Sequence, residues 1–309
     1  MSVHVITTYY NPCHYKRRRD NYDRFIEGLR KQNVPCLTIE TALPDEEFEL
    51  PSKLGVIQMK TEALMWHKER LLNLAANWLP DEYDIIAWID CDVLFDDASW
   101  VKELEELMKD YPIAQLWTSA DRLNSKGESI GDVVASFASK TALMDPSSIH
   151  FSQTRYDEHG HTGYAWAMRR ELFEKIGLYD AAIAGSADHF MAHAIFGDCG
   201  FCIQNCLKKS KEQLTHLQSW SQEFFNLTQG KLGVLSGNIR HLWHGEAKHR
   251  RYFLRQWDLA HLRYNPWTDL IRNPGEPLSW APTTLQNKPR LVNYFKAYFQ
   301  SRREDEETT

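Results

Sequence analysis

No apolar run in the chain approaches the ~20 residues that a membrane-spanning helix requires. A secretory leader pattern is missing too, because Met1-Ser2-Val3-His4 runs straight into a strand-like segment. A soluble, cytoplasmic protein is the expectation. Positive charge is scarce: 36 Lys and Arg against 42 Asp and Glu leave a net charge of -6. That argues against a general polyanion binder, although local basic patches remain. The loop after the first strand has no Gly-rich, Lys-bearing cradle of the kind that holds a triphosphate. Cysteine is modest, at six residues, with no second Cys-x-x-Cys. Cys13, Cys36 and Cys91 stand alone near core elements, as reduced thiols do. Cys199-x-x-Cys202-x-x-x-Cys206 has no fourth ligand at ordinary spacing, so unpaired thiols are expected, with structural zinc as the alternative.

What the chain does have is material for a core. Hydrophobic content of 43% and aromatic content of 12% suit one large α/β domain or two small ones over 309 residues. The central stretch is Tyr83 to Asp96, a short apolar run that ends in Asp90-Cys91-Asp92. Such a run reads as a strand buried on both faces, as in a parallel sheet. Asp90 and Asp92 share a face if the strand continues that far. Two carboxylates together repel unless a cation joins them, and open α/β sheets hold ligands at this end of their strands. The pattern points to a hard divalent metal holding a phosphorylated ligand. The plainer alternative is a set of turn or capping acids, with Asp96, Asp97 and Ser99 beside them.

Around that strand the chain reads as alternating elements. Val3 to Tyr9 predicts a first strand, Arg18 to Gln32 a helix with Tyr22, Phe25, Ile26 and Leu29 inward, and Val34 to Glu40 a second strand. Thr7, Thr8 and Tyr9 then stand where such sheets hold nucleotides, unless the tyrosines only cap the core. Lys16-Arg17-Arg18-Arg19 lies at the unfavourable end of the helix dipole, as a solvated patch or beside a compensating anion. Thr61 to Trp78 predicts a helix whose Lys68 and Arg70 could reach a phosphate or carboxylate. Trp100 to Lys109 reads as a helix and Ile113 to Trp117 as a strand. Residues 118–160 are polar and rich in turn-formers, which suggests acceptor recognition or a lid. His161 to Phe173 reads as a strand entering a helix, with Gly163 open to close ligand approach. Asp188 opens a further helix, as a cap or as a general base. Leu214 to Phe225 reads as helical. Lys231 to Leu235 and Ile239 to Gly245 read as a closing pair of strands. On a regular strand His241 and His244 face opposite ways, which leaves His244, before Gly245, as the metal ligand. Lys248, His249, Arg250, Arg251 and Arg255 form a basic cluster suited to a diphosphate. The tail from Arg290 to Arg303 is amphipathic. It docks on the domain or makes a peripheral contact with a membrane or partner, with residues 304–309 frayed.

Taken in order, four pieces resemble the nucleotide-sugar-dependent glycosyltransferases of the GT-A superfamily, both its family-2-like and galactosyltransferase-like members. They are Val5 to Tyr9, the DxD strand Trp88 to Asp92, Gly163 to Arg170 with Phe173, and His241 to Gly245. The resemblance spans residues 1–265. It implies a Rossmann-like, mostly parallel α/β sheet flanked by helices, with residues 266–309 as a partly helical extension. It further implies Asp92 on a manganese (or magnesium) ion, Asp90 on the ribose or the metal, and His244 as a further ligand. The donor implied is a UDP-sugar or related nucleotide sugar, and the residues read above as facing it, with Asp90, are Thr7, Thr8, Tyr9, Lys68, Arg70, Gly163 and Arg251. Inverting members carry a Glu-Asp pair before a helix. Ser186-Ala187-Asp188 offers one acid only, which makes Asp188 the expected base and leaves the stereochemical outcome open. The acceptor could be a glycan, a lipid-linked sugar, a protein or a modified nucleobase. Nucleotidyl transfer to a sugar phosphate, or non-catalytic nucleotide-sugar binding, would use the same sheet.

Overall fold

The computed structural model describes residues 1–144, 159–252 and 254–306, apart from the side chain of residue 201. In chain order the strands used below are β1 (Val3–Tyr10), β2 (Cys36–Ala42), β3 (Val56–Lys60), β4 (Ile85–Ile89), β5 (Val93–Phe95), β6 (Ile113–Gln115), β7 (Ser119–Leu123), β8 (Ser129–Ala135), β9 (Ala165–Arg169), β10 (Leu232–Val234) and β11 (Asn238–His241). Among the described residues, seven of them form one sheet in the order β10-β6-β9-β4-β1-β2-β3. All its pairings are parallel except those of β9, which runs against both β4 and β6. The fold is therefore mixed α/β with a mostly parallel central sheet and helices on its faces.

β4 shows why this sheet forms. All five of its residues are buried, and they alternate between two apolar layers. Ile85, Ala87 and Ile89 enter the layer under the Lys16–Lys31 helix, where Tyr22, Phe25 and Leu29 lie. Ile86 and Trp88 enter the opposite layer with Leu71, Leu72 and Ala75 of the Lys68–Trp78 helix. A strand apolar on both faces is stable only with a cover on each side. From β1 the chain moves outward through β2 to β3, then returns to place β4 on the other side of β1. The reversal opens a crevice beyond the C-terminal ends of β1 and β4.

Several elements depart from the expected pattern. The stretch Tyr83 to Asp96 is not one strand: β4 stops at Ile89, and Val93 N–H donates to Asp90 O (3.2 Å) across a turn. β5 then joins a second sheet of order β5-β11-β7-β8. β10 and β11 do not close as a pair, because β10 lies beside β6 and β11 between β5 and β7. The helix expected from Thr61 starts only at Lys68. Ala63 and Met65 are drawn instead into the apolar cluster of the C-terminal region, and Trp66 N–H donates to Ile183 O (2.9 Å). Tertiary burial here overrides helical spacing. Residues 118–160 contain the β7–β8 hairpin and the Phe137–Thr141 helix, and the part of the expected lid at 145–158 falls outside the described residues.

The tail is part of the core. Leu291, Phe295, Tyr298 and Phe299 of the Pro289–Gln300 helix are buried against Tyr10, Met65, Ile183 and Leu259. The apolar face that suggested a membrane contact is thus covered by the chain itself. Residues 304–306 are not frayed. Asp305 accepts from the backbone N–H groups of Lys16 (2.9 Å) and Arg17 (2.7 Å), and Glu304 pairs with Arg18 (3.1 Å). The anion that compensates the basic helix start is therefore the chain's own C-terminal segment. Phe295 is fully buried. Phe295→Ala is expected to lower unfolding free energy by ~3–5 kcal/mol, read from the urea midpoint. A change below ~1 kcal/mol would show that the tail is not part of the cooperative core.

Candidate active site

The crevice at the ends of β1 and β4 is a cavity of about 660 Å³, lined by Thr7, Thr8 and Tyr10 from β1 and by Asp90, Cys91 and Asp92 after β4. Lys68, Glu69, Asp188, His241 and His244 also face it, with Arg18, Arg122, Arg250 and Arg255. Cations and carboxylates are thus concentrated at the end of the sheet where a parallel fold offers its ligand site.

Asp92 stands at the centre of this group. His244 Nε2 lies 3.1 Å from Asp92 Oδ2, His241 Nε2 lies 3.8 Å from Oδ1, and the two Nε2 atoms are 3.0 Å apart. The expectation that these histidines diverge is corrected. β11 ends at His241, so the strand alternation that would separate them no longer applies at His244. Burial would raise the Asp92 pKa, but His244, His241 and Arg18 hold it well below the usual carboxylate range. Burial also pushes His241 down to about 3, so its approach to Asp92 is not an ion pair at neutral pH. Two ring nitrogens and a carboxylate converge on one point, and Asp92 Oδ1 is buried without a hydrogen-bond partner among the described residues. That donor set fits a first-row divalent cation. Arg250 donates to His244 Nδ1 and also to His244 O (2.5 Å). Coordination through His244 Nε2 asks Nδ1 to carry the proton, so Arg250 must then rely on the carbonyl and on Glu304 (3.4 Å).

Asp90 is placed differently from Asp92. Its carboxylate is ion-paired with Lys68, and it stands apart from the group formed by Asp92 and the two histidines. Burial raises the Asp90 pKa, with Lys68 opposing. Lys68 itself would be lowered by burial but is held above its ordinary value by Asp90. Thr7 donates to Ile89 O (2.7 Å), which ties β1 to the end of β4, while Thr8 lines the cavity. Tyr9 turns to the other side of the sheet, where its hydroxyl donates to Glu49 and its ring meets Tyr22. The adjacent Tyr10 takes the cavity side, and its hydroxyl and the Trp66 indole N–H have no hydrogen-bond partner among the described residues. Arg70 is also turned away: it donates to Glu276 O (2.9 Å) and Asn273 O (2.5 Å) and faces Asp180. Arg251 pairs outside the cavity with Asp258 (2.9 Å), whereas the buried Arg250 and Arg255 of the same basic cluster line it.

Gly163 leaves room for a neighbour within the chain. A Cβ there would come within 2.9 Å of Asp188 Oδ2 and of His161 Cε1. Asp188 sits in the first turn of the Ala187–Ala194 helix and lines the cavity. Two non-glycine residues adopt left-handed backbone beside it, Tyr164 and Ser186, both at φ 82°. Arg255 donates to Ser186 Oγ (2.6 Å), and the Tyr164 ring is stacked on His161 (4.1 Å) and near His241 (4.5 Å). Strain of this kind persists where the surroundings over-determine a conformation. One further site residue had a signal in the sequence: Arg18 shares the helical stripe of Tyr22, Phe25 and Leu29. Glu304, buried among Arg18, Arg250 and Arg302, had none.

Glu69 is an acid buried in the cavity wall. Burial pushes its carboxyl up to about 8, with Asp188 adding and Lys68 opposing. The folded protein binds this proton more tightly than the unfolded chain does. Its stabilising effect is therefore present at low pH and is lost as pH rises from about 4.5 through about 8. Glu69→Gln is expected to flatten the melting temperature against pH over that window; an unchanged slope would refute the raised pKa.

No family model matches the sequence, and no curated protein matches it. Among solved structures the chain is similar to the Drosophila beta-1,4-galactosyltransferase 7 catalytic domain with xylobiose, at 12% identity and TM-score 0.39, over 94% of this chain and 98% of that one. A mutant of that enzyme has been solved with manganese, UDP-Gal and xylobiose, with 12% identity, TM-score 0.39, and 93% and 98% coverage. A Desulfovibrio desulfuricans protein named as a nucleotide-diphospho-sugar transferase matches at 12% identity and TM-score 0.35, over 86% and 99%. The Anaerococcus prevotii 4-diphosphocytidyl-2C-methyl-D-erythritol synthase matches at 10% identity and TM-score 0.33, over 76% and 87%. At these scores the likenesses carry nothing about what this chain binds.

Proposed function

We propose that the chain is a metal-dependent glycosyltransferase that moves a sugar from a nucleoside diphosphate sugar, with a UDP-sugar as the expected donor, to an acceptor hydroxyl. The observation that carries the reading is the convergence of Asp92, His241 and His244 in a cation-lined cavity at the ends of β1 and β4. Two imidazoles in the donor set favour manganese over magnesium. When bound, the ion supplies Lewis-acid neutralisation of charge on the departing diphosphate.

The chain's own residues supply the rest. Arg18 and Arg250, which now share Glu304, border the cavity as guanidinium forks suited to phosphate oxygens. Lys68 pairs with Asp90 and orients it for the ribose or the metal. Tyr10 Oη and Trp66 Nε1, two of the polar atoms of the cavity lining without a hydrogen-bond partner among the described residues, serve sugar or nucleoside hydroxyls. Asp188 takes the proton of the acceptor hydroxyl, packed into place by Gly163.

Manganese and a UDP-sugar together are expected to raise the melting temperature, and turnover is expected to release nucleoside diphosphate. Asp92→Ala should remove the manganese-dependent shift and lower transfer at least ~100-fold, beyond the ~10–100-fold typical of outer-shell changes. Full activity in that variant refutes the metal role. Release of pyrophosphate instead assigns the cavity to nucleotidyl transfer.

A further inference from the structure

A second group of ligating side chains lies apart from Asp92, His241 and His244. His159, His189, His193 and Cys202 are all buried, and one ligating atom from each lies within 4.8 Å of the others. His189 and His193 are one turn apart on the Ala187–Ala194 helix, so their rings leave the same face. Cys202 comes from the following Phe201–Leu207 helix, and His159 from the segment leading to Gly163. We propose that these four residues bind a structural zinc ion, with three imidazoles and one thiolate as a closed ligand set.

His193 Nδ1 lies 2.9 Å from Asp198 Oδ2, and His159 Nδ1 lies 2.9 Å from Gly160 O. A carboxylate and a carbonyl only accept, so each of these Nδ1 atoms carries its ring's proton. Nε2 is then the lone-pair nitrogen of both rings. His159 Nε2 lies 3.9 Å from Cys202 Sγ, and His189 Nε2 lies 3.1 Å from the same sulfur. Ring nitrogens and a thiol sulfur gathered within 4.8 Å of one another form a donor set that one cation can bridge. The Nδ1 contacts to carboxylate and carbonyl are also the outer-shell partners that ligating histidines keep.

Distances and chemistry select the metal. Zinc bonds of ~2.0–2.1 Å to nitrogen and ~2.3 Å to sulfur place tetrahedral nitrogen and sulfur ligands about 3.6 Å apart. Two of the three nitrogen–sulfur distances, 3.1 Å from His189 and 3.9 Å from His159, bracket that value. Three imidazoles with one thiolate form a set of borderline softness, without an open position for water. Binding turns the Cys202 thiol into a thiolate and releases its proton to solvent. Cys199 and Cys206 take no part, since the Cys199 thiol donates to Ser221 Oγ (3.2 Å) and Cys206 faces the cavity. The ion would join the helix that begins just before Asp188 to the segment that leads into Gly163, two walls of the same cavity.

The test uses the full chain carrying His241→Ala and His244→Ala, which removes the cleft imidazoles and separates this site from the proposed catalytic one. Loaded with zinc and gel-filtered, this variant is expected to retain the metal at unit stoichiometry and to lose melting temperature on chelation. Its cobalt form should show a thiolate-to-cobalt charge-transfer band that persists with Cys206→Ser and disappears with Cys202→Ser. Absence of retained zinc, or a cobalt form without the thiolate band, overturns the proposal. If Cys202→Ser does not fold, the band in the cysteine-bearing variant decides by itself.

Discussion

A carboxylate taken out of water at the edge of a packed sheet must be met by positive charge or by donors, and Asp92 is the carboxylate on which this site turns. Its surroundings answer that demand incompletely. His241 is held neutral by burial, and Asp92 Oδ1 has no hydrogen-bond partner among the described residues. Compensation comes first from His244, 3.1 Å from Asp92 Oδ2, and then from Arg18, which reaches across from the first helix. A carboxylate with an unspent oxygen between two imidazoles is prepared for a cation in a way that an ordinary ion pair is not.

The same demand explains why the end of the chain belongs to the site. Glu304 is buried among Arg18, Arg250 and Arg302, at the wall of the cavity that Asp92 faces. Asp305 satisfies backbone N–H groups at the start of the first helix, where basic side chains would otherwise meet the positive end of the dipole. Gly245 permits the close passage involved: a Cβ there would stand 3.1 Å from Arg303 O. The tail, the first helix and the histidine-bearing segment are therefore held as one assembly around a small set of charges.

How far the sequence could be read differs by element. The strand-helix-strand opening and the buried central strand were legible, because apolar spacing alone distinguishes one period from the other. So was Asp188 at the start of a helix. The first turn of the expected helix from Thr61 was not, since burial of Ala63 and Met65 beneath a tail more than two hundred residues away decides it. Among the candidate ligands, Asp92 and His244 could be named from position, while His241 could not. Its exclusion assumed a strand that continues, and β11 stops there.

The order of elements, the two-faced core of β4 and the concentration of acids after it follow from the chain's own periodicity, because near neighbours along a strand or helix fix which side chains share a face. Which distant residues meet was decided by packing alone. Arg70 and Arg251 were as basic as Arg250 and Arg255, yet only the latter pair lines the cavity. His159, His189, His193 and Cys202 are gathered from three separate segments. Side-chain convergence across such separations depends on how helices dock on the sheet, and no local pattern of residues records that.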